Sequence, residues 1–166
     1  MGSKKWMFFA LILCFTSHRI YGQQKQFMWD GIMRTYVVHE PSTLEPNPSG
    51  HPLVIGLHGT SSNGVGFMAT AFLGQKALQE RFLVACPDGL NFGIFTYFNA
   101  GDAYEELTNG ADDLGFISAL IDTMIENYQV DTTRVYVVGF SNGSMMSYRV
   151  AAELSHKIAA IGAVSG

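Results

Sequence analysis

A chain of 166 residues with 48% apolar, 13% aromatic and 14% charged positions has the composition of one packed domain, which excludes a disordered or low-complexity protein. Its formal net charge of −4 argues against a nucleic-acid partner, because phosphate binding draws on an excess of lysine and arginine. It has no phosphate-cradling glycine loop and no zinc-ligand spacing, so neither cofactor nor metal is expected.

The opening stretch MGSKKWMFFALILCFTSHRIYG carries two lysines, an apolar run from Trp6 to Phe15 and a polar tail ending in the small residue Gly22. This is the pattern of an export signal, residues 1–22, cleaved after Gly22 to leave a domain of residues 23–166. The apolar run is well short of the roughly 20 residues that span a bilayer, so no stable membrane anchor is expected. Leu13, not a small residue, precedes Cys14, which disfavours lipid attachment. Cleavage removes Lys4, Lys5 and Arg19 but no acid, leaving a more acidic secreted protein, extracellular or periplasmic, with Cys86 as its one cysteine.

FMWDGIMRTYVVHEP reads as two short strands around the turn dipeptide Asp30-Gly31. EPNPSGHP is a connector, and LVIGLHG is a continuous apolar run of the kind buried on both faces. Val65, Phe67, Met68, Ala71, Phe72, Ala77 and Leu78 recur near helical spacing before the strand-like RFLVACPDG, in which Cys86 reads as a buried thiol. The span from Leu90 to Gly110 reads as a long irregular loop, and loops of that length are commonly functional. ADDLGFISALIDTMIENYQV is an amphipathic helix capped by Asp112 or Asp113. RVYVVGF, a serine turn, a helix from about Asn142 to Leu154 and IAAIGAVSG form a β-α-β unit. Strands alternating with helices predict an α/β fold with a mostly parallel sheet and helices on both faces.

Gly139-Phe140-Ser141-Asn142-Gly143 fits G-x-S-x-G. The pentapeptide alone is weak evidence in a chain with 18 glycines, but here it falls where a β-branched strand passes into a helix. In a bend that sharp the serine backbone is strained, and side chains two residues to either side would collide as helix packs back on strand. Glycine at 139 and 143 relieves that collision. The Asn142 N–H then opens a helix, where the dipole and unpaired amides favour an oxyanion. A second donor is expected from LHGTSSNG, after the earlier LVIG strand, with Thr60 the first candidate and Ser61 the reserve.

LVIGLHGTSSNGVGF, VACPDGL, FNAGD, ADDLGFISALID and VYVVGFSNGSMMSYRVAAEL together resemble the secreted polyhydroxybutyrate depolymerase and feruloyl esterase family of α/β-hydrolases over nearly all of residues 27–166. The resemblance implies an eight-stranded α/β-hydrolase sheet, Ser141 as the nucleophile of a serine esterase, and His58 with Gly59 orienting the oxyanion loop. It implies as substrates feruloyl or acetyl esters on polysaccharide, or hydroxyalkanoate polyesters. Phe98 stands where the family carries tryptophan.

A serine nucleophile needs a base, in turn held by an acid, and in this fold the chain order is serine, acid, histidine. After Ser141 only Glu153 and His156 are available, both carried away from the elbow by the same helix. Acid and histidine are therefore expected beyond Gly166, with the fold truncated after about its sixth strand and the 166-residue species inactive or nearly so. His39 and His51 read as surface or turn residues. Asp102, Glu105, Glu106, Asp112 and Asp113 read as a solvated loop and helix start, not a calcium site. Tyr97, Phe98 and Asn99, with Phe92 and Phe95, are candidates for a substrate surface, and Met145 and Met146 for core packing. The alternative function is a non-catalytic binding module derived from such an esterase.

Overall fold

The computed structural model describes residues 22–166 apart from 43 and 102. Residues 1–21 of the export signal expected over 1–22, and the acidic residue Asp102, lie outside the described residues.

Strands β1 (Gln23–Trp29) and β2 (Ile32–His39) pair antiparallel in a register that closes Trp29 on Ile32. Asp30 and Gly31 turn the corner at φ 47° and 73°, the left-handed pair that a two-residue hairpin requires. Strands β3 (His51–Leu57), β4 (Leu83–Pro87), β7 (Val130–Phe140) and β8 (Ala160–Val164) run parallel, and β2 joins β4 antiparallel. The resulting six-stranded sheet has the order β1-β2-β4-β3-β7-β8.

Alternation along the strands sends side chains to two cores. Leu53, Ile55, Leu57, Val135 and Val137 face helices α4 (Asp113–Asn127) and α5 (Asn142–Glu153), which contribute Ile117, Leu120, Ile121, Met124, Met146 and Val150. Val37, Val84 and Cys86 face the opposite way, against Met68 of α1 (Gly64–Thr70) and Ala77 of α2 (Leu73–Glu80). Helices thus lie on both faces of a mostly parallel sheet, the α/β fold that the strand and helix pattern predicts. No helix among the described residues is long and apolar enough to cross a membrane.

Four local expectations are corrected. The apolar pattern from Val65 to Leu78 is two helices, broken where Phe72 takes φ 53°. At about 100° per residue, an unbroken helix would turn Leu73 some 240° away from Phe67, whereas the break lets both pack against the same cluster. The span from Leu90 to Gly110 contains a hairpin, β5 (Leu90–Phe92) with β6 (Phe95–Tyr97), and a short helix, α3 (Ala103–Leu107). Three-residue strands are too short for periodicity to reveal; Gly93 at φ 65° and an Asn91–Thr96 side-chain hydrogen bond of 2.7 Å hold the turn. His39 and His51 are buried, at 2% and 9% exposure, because β2 and β3 are interior strands and their ends are covered. Of the two methionines expected in the core, Met146 is fully buried but Met145 is 39% exposed, since adjacent helix positions point about 100° apart.

Candidate active site

At the C-terminal end of β7 the chain turns into α5 within one residue. Ser141 holds φ 52° and ψ −120°, a conformation that is costly for any residue with a Cβ. Its N–H donates to the Val164 carbonyl at 2.9 Å, and its carbonyl accepts from the N–H groups of Ser144 at 2.8 Å and Met145 at 3.1 Å, which starts the helix. A methyl at Gly139 would lie 2.1 Å from the Gly143 carbonyl oxygen, and one at Gly143 would lie 2.2 Å from that of Leu57. Those are backbone atoms of the helix and the neighbouring strand, which cannot give way. Gly139 thus lets the helix lie against its own strand, and Gly143 makes room for the chain at the end of β3.

The loop after β3 reaches the same place, because β3 and β7 pair in parallel with Leu57 opposite Gly139. A methyl at Gly59 would approach the Ser141 Cβ to 3.3 Å. The loop turns through a Ser62 N–H to Gly59 carbonyl bond of 3.2 Å, with Ser61 at φ 62°. Thr60 is exposed at the tip, and among the described residues neither its N–H nor that of Asn142 has a protein acceptor. Ser61, the reserve donor, is corrected: its N–H is already given to the Thr96 carbonyl at 3.1 Å. The arrangement offers two open amides, one of them at the start of a 12-residue helix, beside a half-buried serine. Crevices at the carboxyl ends of parallel strands are where α/β proteins bind ligands.

His58 is fully buried with both ring nitrogens engaged. Nδ1 donates to the Gly59 carbonyl at 2.7 Å, and Nε2 accepts the Gly89 N–H at 2.9 Å. Burial pushes its pKa below the usual imidazole value, so the neutral ring is favoured. With no nitrogen free, it is placed to hold the loop that begins at Gly59. Topology also separates the other histidines among the described residues from Ser141. His51 pairs with Val130 at the far end of β7, and His39 pairs with Val84 two strands away from β7. His156 lies past the end of α5, about 18 Å of helix from the elbow.

The expected substrate surface is corrected at two of its three principal positions. Phe98 is fully buried, its ring 4.6 Å from that of His58, and Asn99 is 2% exposed. The Asn99 side chain donates to Glu105 at 2.8 Å and to the Ala111 carbonyl at 3.0 Å, and accepts the Gly101 N–H at 3.1 Å, so it shapes the loop. Tyr97 is half-buried between Phe95 and Tyr104, and Phe95 remains 44% exposed. The acidic cluster also divides. Asp112 is the helix cap, accepting the Gly115 N–H at 2.9 Å, while Asp113 is fully buried and paired with Arg34.

Sequence reasoning passed over Arg34 and Asp88. Arg34 shares the inward face of β2 with Tyr36 and Val38, so a charge at period two in an apolar strand was the available signal. Asp88 accepts the Gly64 N–H and the Thr35 hydroxyl, each at 2.6 Å, fastening the loop after β4 beside the loop after β3.

This fold and elbow define an α/β-hydrolase. The chain belongs to the Phospholipase/Carboxylesterase family, whose pattern matches residues 39–166. It is 33% identical over 136 residues to the bifunctional acetylxylan esterase/xylanase XynS20E of Neocallimastix patriciarum, covering 82% of this chain and 18% of that one. It is 31% identical over 134 residues to poly(3-hydroxyalkanoate) depolymerase C of Paucimonas lemoignei, covering 77% and 30%. The fold superimposes on the acetyl xylan esterase from Aspergillus awamori with a TM-score of 0.68 at 21% identity, over 84% of this chain and 50% of that one. The chain thus spans half or less of the length of these proteins.

Proposed function

We propose that this chain carries the nucleophile and oxyanion site of a secreted serine carboxylic-ester hydrolase. The observation that carries the reading is the Ser141 backbone at φ 52°, which presents the hydroxyl at the head of α5 next to two open amides. In the reaction the Ser141 oxygen attacks the ester carbonyl, the Asn142 and Thr60 N–H groups hold the resulting oxyanion, the alcohol leaves, and water releases the acid. The substrates are acetyl or feruloyl esters on polysaccharide, or a hydroxyalkanoate polyester, in line with the esterase and depolymerase relatives. The lysine-then-apolar start of the chain supports export.

The proton acceptor and its carboxylate come from outside residues 22–166. The reading is supported by the engagement of both His58 nitrogens and by the distance of His39, His51 and His156 from the elbow.

A test that needs no histidine is the Ser141→Cys variant. Amides and dipole at the head of α5 lower the thiol pKa below the free value of about 8.5, so it alkylates rapidly with iodoacetamide at pH 7. A thiol at 141 that titrates like free cysteine would sink the reading.

A further inference from the structure

The segment from Thr96 to Phe98 lies between the two loops that supply the open amides and is bonded to both. Thr96 gives its carbonyl to the Ser61 N–H, one residue past Thr60. Two residues on, Phe98 is held by both ends of the Asn142 side-chain amide: its N–H donates to Asn142 Oδ1 at 2.8 Å, and its carbonyl accepts from Asn142 Nδ2 at 3.0 Å. The side chain thereby copies the paired hydrogen bonds of a neighbouring strand. Asn142 is fully buried, so water does not compete for either bond.

Further contacts stiffen this strap. The Phe98 ring packs on His58, whose Nε2 is itself fixed by the Gly89 N–H. The Asn99 N–H donates to Asp113 Oδ2 at 2.7 Å, and its carbonyl accepts from Arg149 Nη1, two turns along α5 from Asn142, at 2.9 Å. The strap is also the end of the β5–β6 hairpin, closed by the Asn91–Thr96 bond. A continuous run of short bonds thus leads from the elbow helix through Asn142, Phe98 and Thr96 to Ser61.

We propose that Asn142 has two separate roles, its backbone N–H facing the oxyanion and its side chain acting as a positioning group that sets the spacing between that N–H and the Thr60 N–H through the 96–98 strap. The inference rests on the serine-esterase reading and adds to it. An asparagine fits because Phe98 presents one donor and one acceptor, and a carboxamide at this reach answers both at any pH. Alanine answers neither, and an ionised carboxylate answers the N–H but repels the carbonyl. A protonated carboxyl answers both again. The charged and titratable groups near this position are His58, which packs on Phe98, Asp113, bonded to Asn99, and Arg149 on α5.

The test uses the full chain in the Ser141→Cys background, where the thiolate is acylated by p-nitrophenyl acetate without a base, with Asn142 intact or replaced by Ala or Asp. Amide hydrogen exchange is read by NMR at Phe98 and Ser61, and the single-turnover acylation rate is expressed per thiolate. Asn142→Ala should speed exchange at Ser61, which Asn142 does not touch, and lower the limiting acylation rate about 10-fold or more with little change in apparent ester affinity. In Asn142→Asp the rate relative to the parent should rise as pH falls from 8 to 5 and the introduced carboxyl regains its proton. Unchanged Ser61 exchange in the folded Ala variant overturns the coupling. Unchanged acylation, or an Asp variant whose relative rate ignores pH, overturns the positioning role. If the parent thiol is not acylated at all, the esterase reading fails instead, and Ser61 exchange still decides whether the strap couples the two loops.

Discussion

Arg34 and Asp113 form an ion pair in which the side chains are only 2% and 0% exposed, joining β2 to the first turn of α4. Arg34 also donates to the Asp88 carbonyl at 3.1 Å and lies 4.0 Å over the Phe116 ring, while the other Asp113 oxygen accepts the Asn99 N–H. The pair therefore ties the loop after β4 and the segment after β6 to one buried point. Removing either partner leaves an uncompensated charge in the core. Asp113→Ala should lower unfolding stability by about 3–5 kcal/mol, measured by urea titration, and Arg34→Met should cost less than Arg34→Ala because it retains the packing.

Ser141 stores strain that its site requires. Relieving the positive φ with Ser141→Gly should raise the unfolding free energy by about 1 kcal/mol or more while removing the hydroxyl. Equilibrium denaturation of the two proteins checks this. A glycine variant less stable than the parent would mean that the elbow is not strained.

The elbow glycines respond in the opposite direction. Gly143→Ala drives a methyl into the Leu57 and His58 carbonyls, at 2.2 and 2.5 Å, and Gly139→Ala into that of Gly143 at 2.1 Å. Each should cost about 3 kcal/mol or more, because the atoms met are backbone. Loss of the cooperative thermal transition in either variant is the expected reading.

Burial lowers the pKa values of His39 and His58 below 6.5. The unfolded chain then takes up protons at higher pH than the folded one, so the neutral rings contribute fully above pH of about 6.5, and that contribution is lost as pH falls toward the folded values. The urea midpoint should drop between pH 7 and 5. His39→Leu should flatten the slope, since it removes one of the two rings that take up protons on unfolding, and among the described residues the buried His39 Nε2 has no hydrogen-bond partner to lose.

Cys86 is fully buried between β4 and the α1–α2 face, and burial pushes its thiol pKa well up. It should resist a thiol reagent in the native state and react at the rate of global unfolding, as followed by mass spectrometry in graded urea. Fast labelling of the native protein would contradict the packing around Gly56 and Phe67.

The sequence by itself determined whatever depends on neighbours along the chain. The Asp30-Gly31 turn, an aspartate cap at 112 or 113, the apolar runs of β3 and β7, and the glycine spacing around Ser141 all follow from local sterics and pattern, and each is legible within a few residues. The Gly139-to-Gly143 spacing anticipates the contact of those two backbones, because the bend forces helix onto strand, whereas the approach of Gly143 to the Leu57 and His58 carbonyls comes from the pairing of β7 with β3. Tertiary structure decided what depends on partners far apart in sequence. The assignment of Ser61 to Thr96, of Asn142 to Phe98, of His58 to Gly89 and of Arg34 to Asp113 rests on hydrogen bonds across 31 to 79 residues, which no local pattern encodes. Phe98 and Asn99 looked like a binding surface because loop residues with aromatic and amide side chains ordinarily face solvent. They are interior because a buried asparagine and a buried aspartate satisfy their backbone, and burying a strap without such partners would cost more than its packing returns.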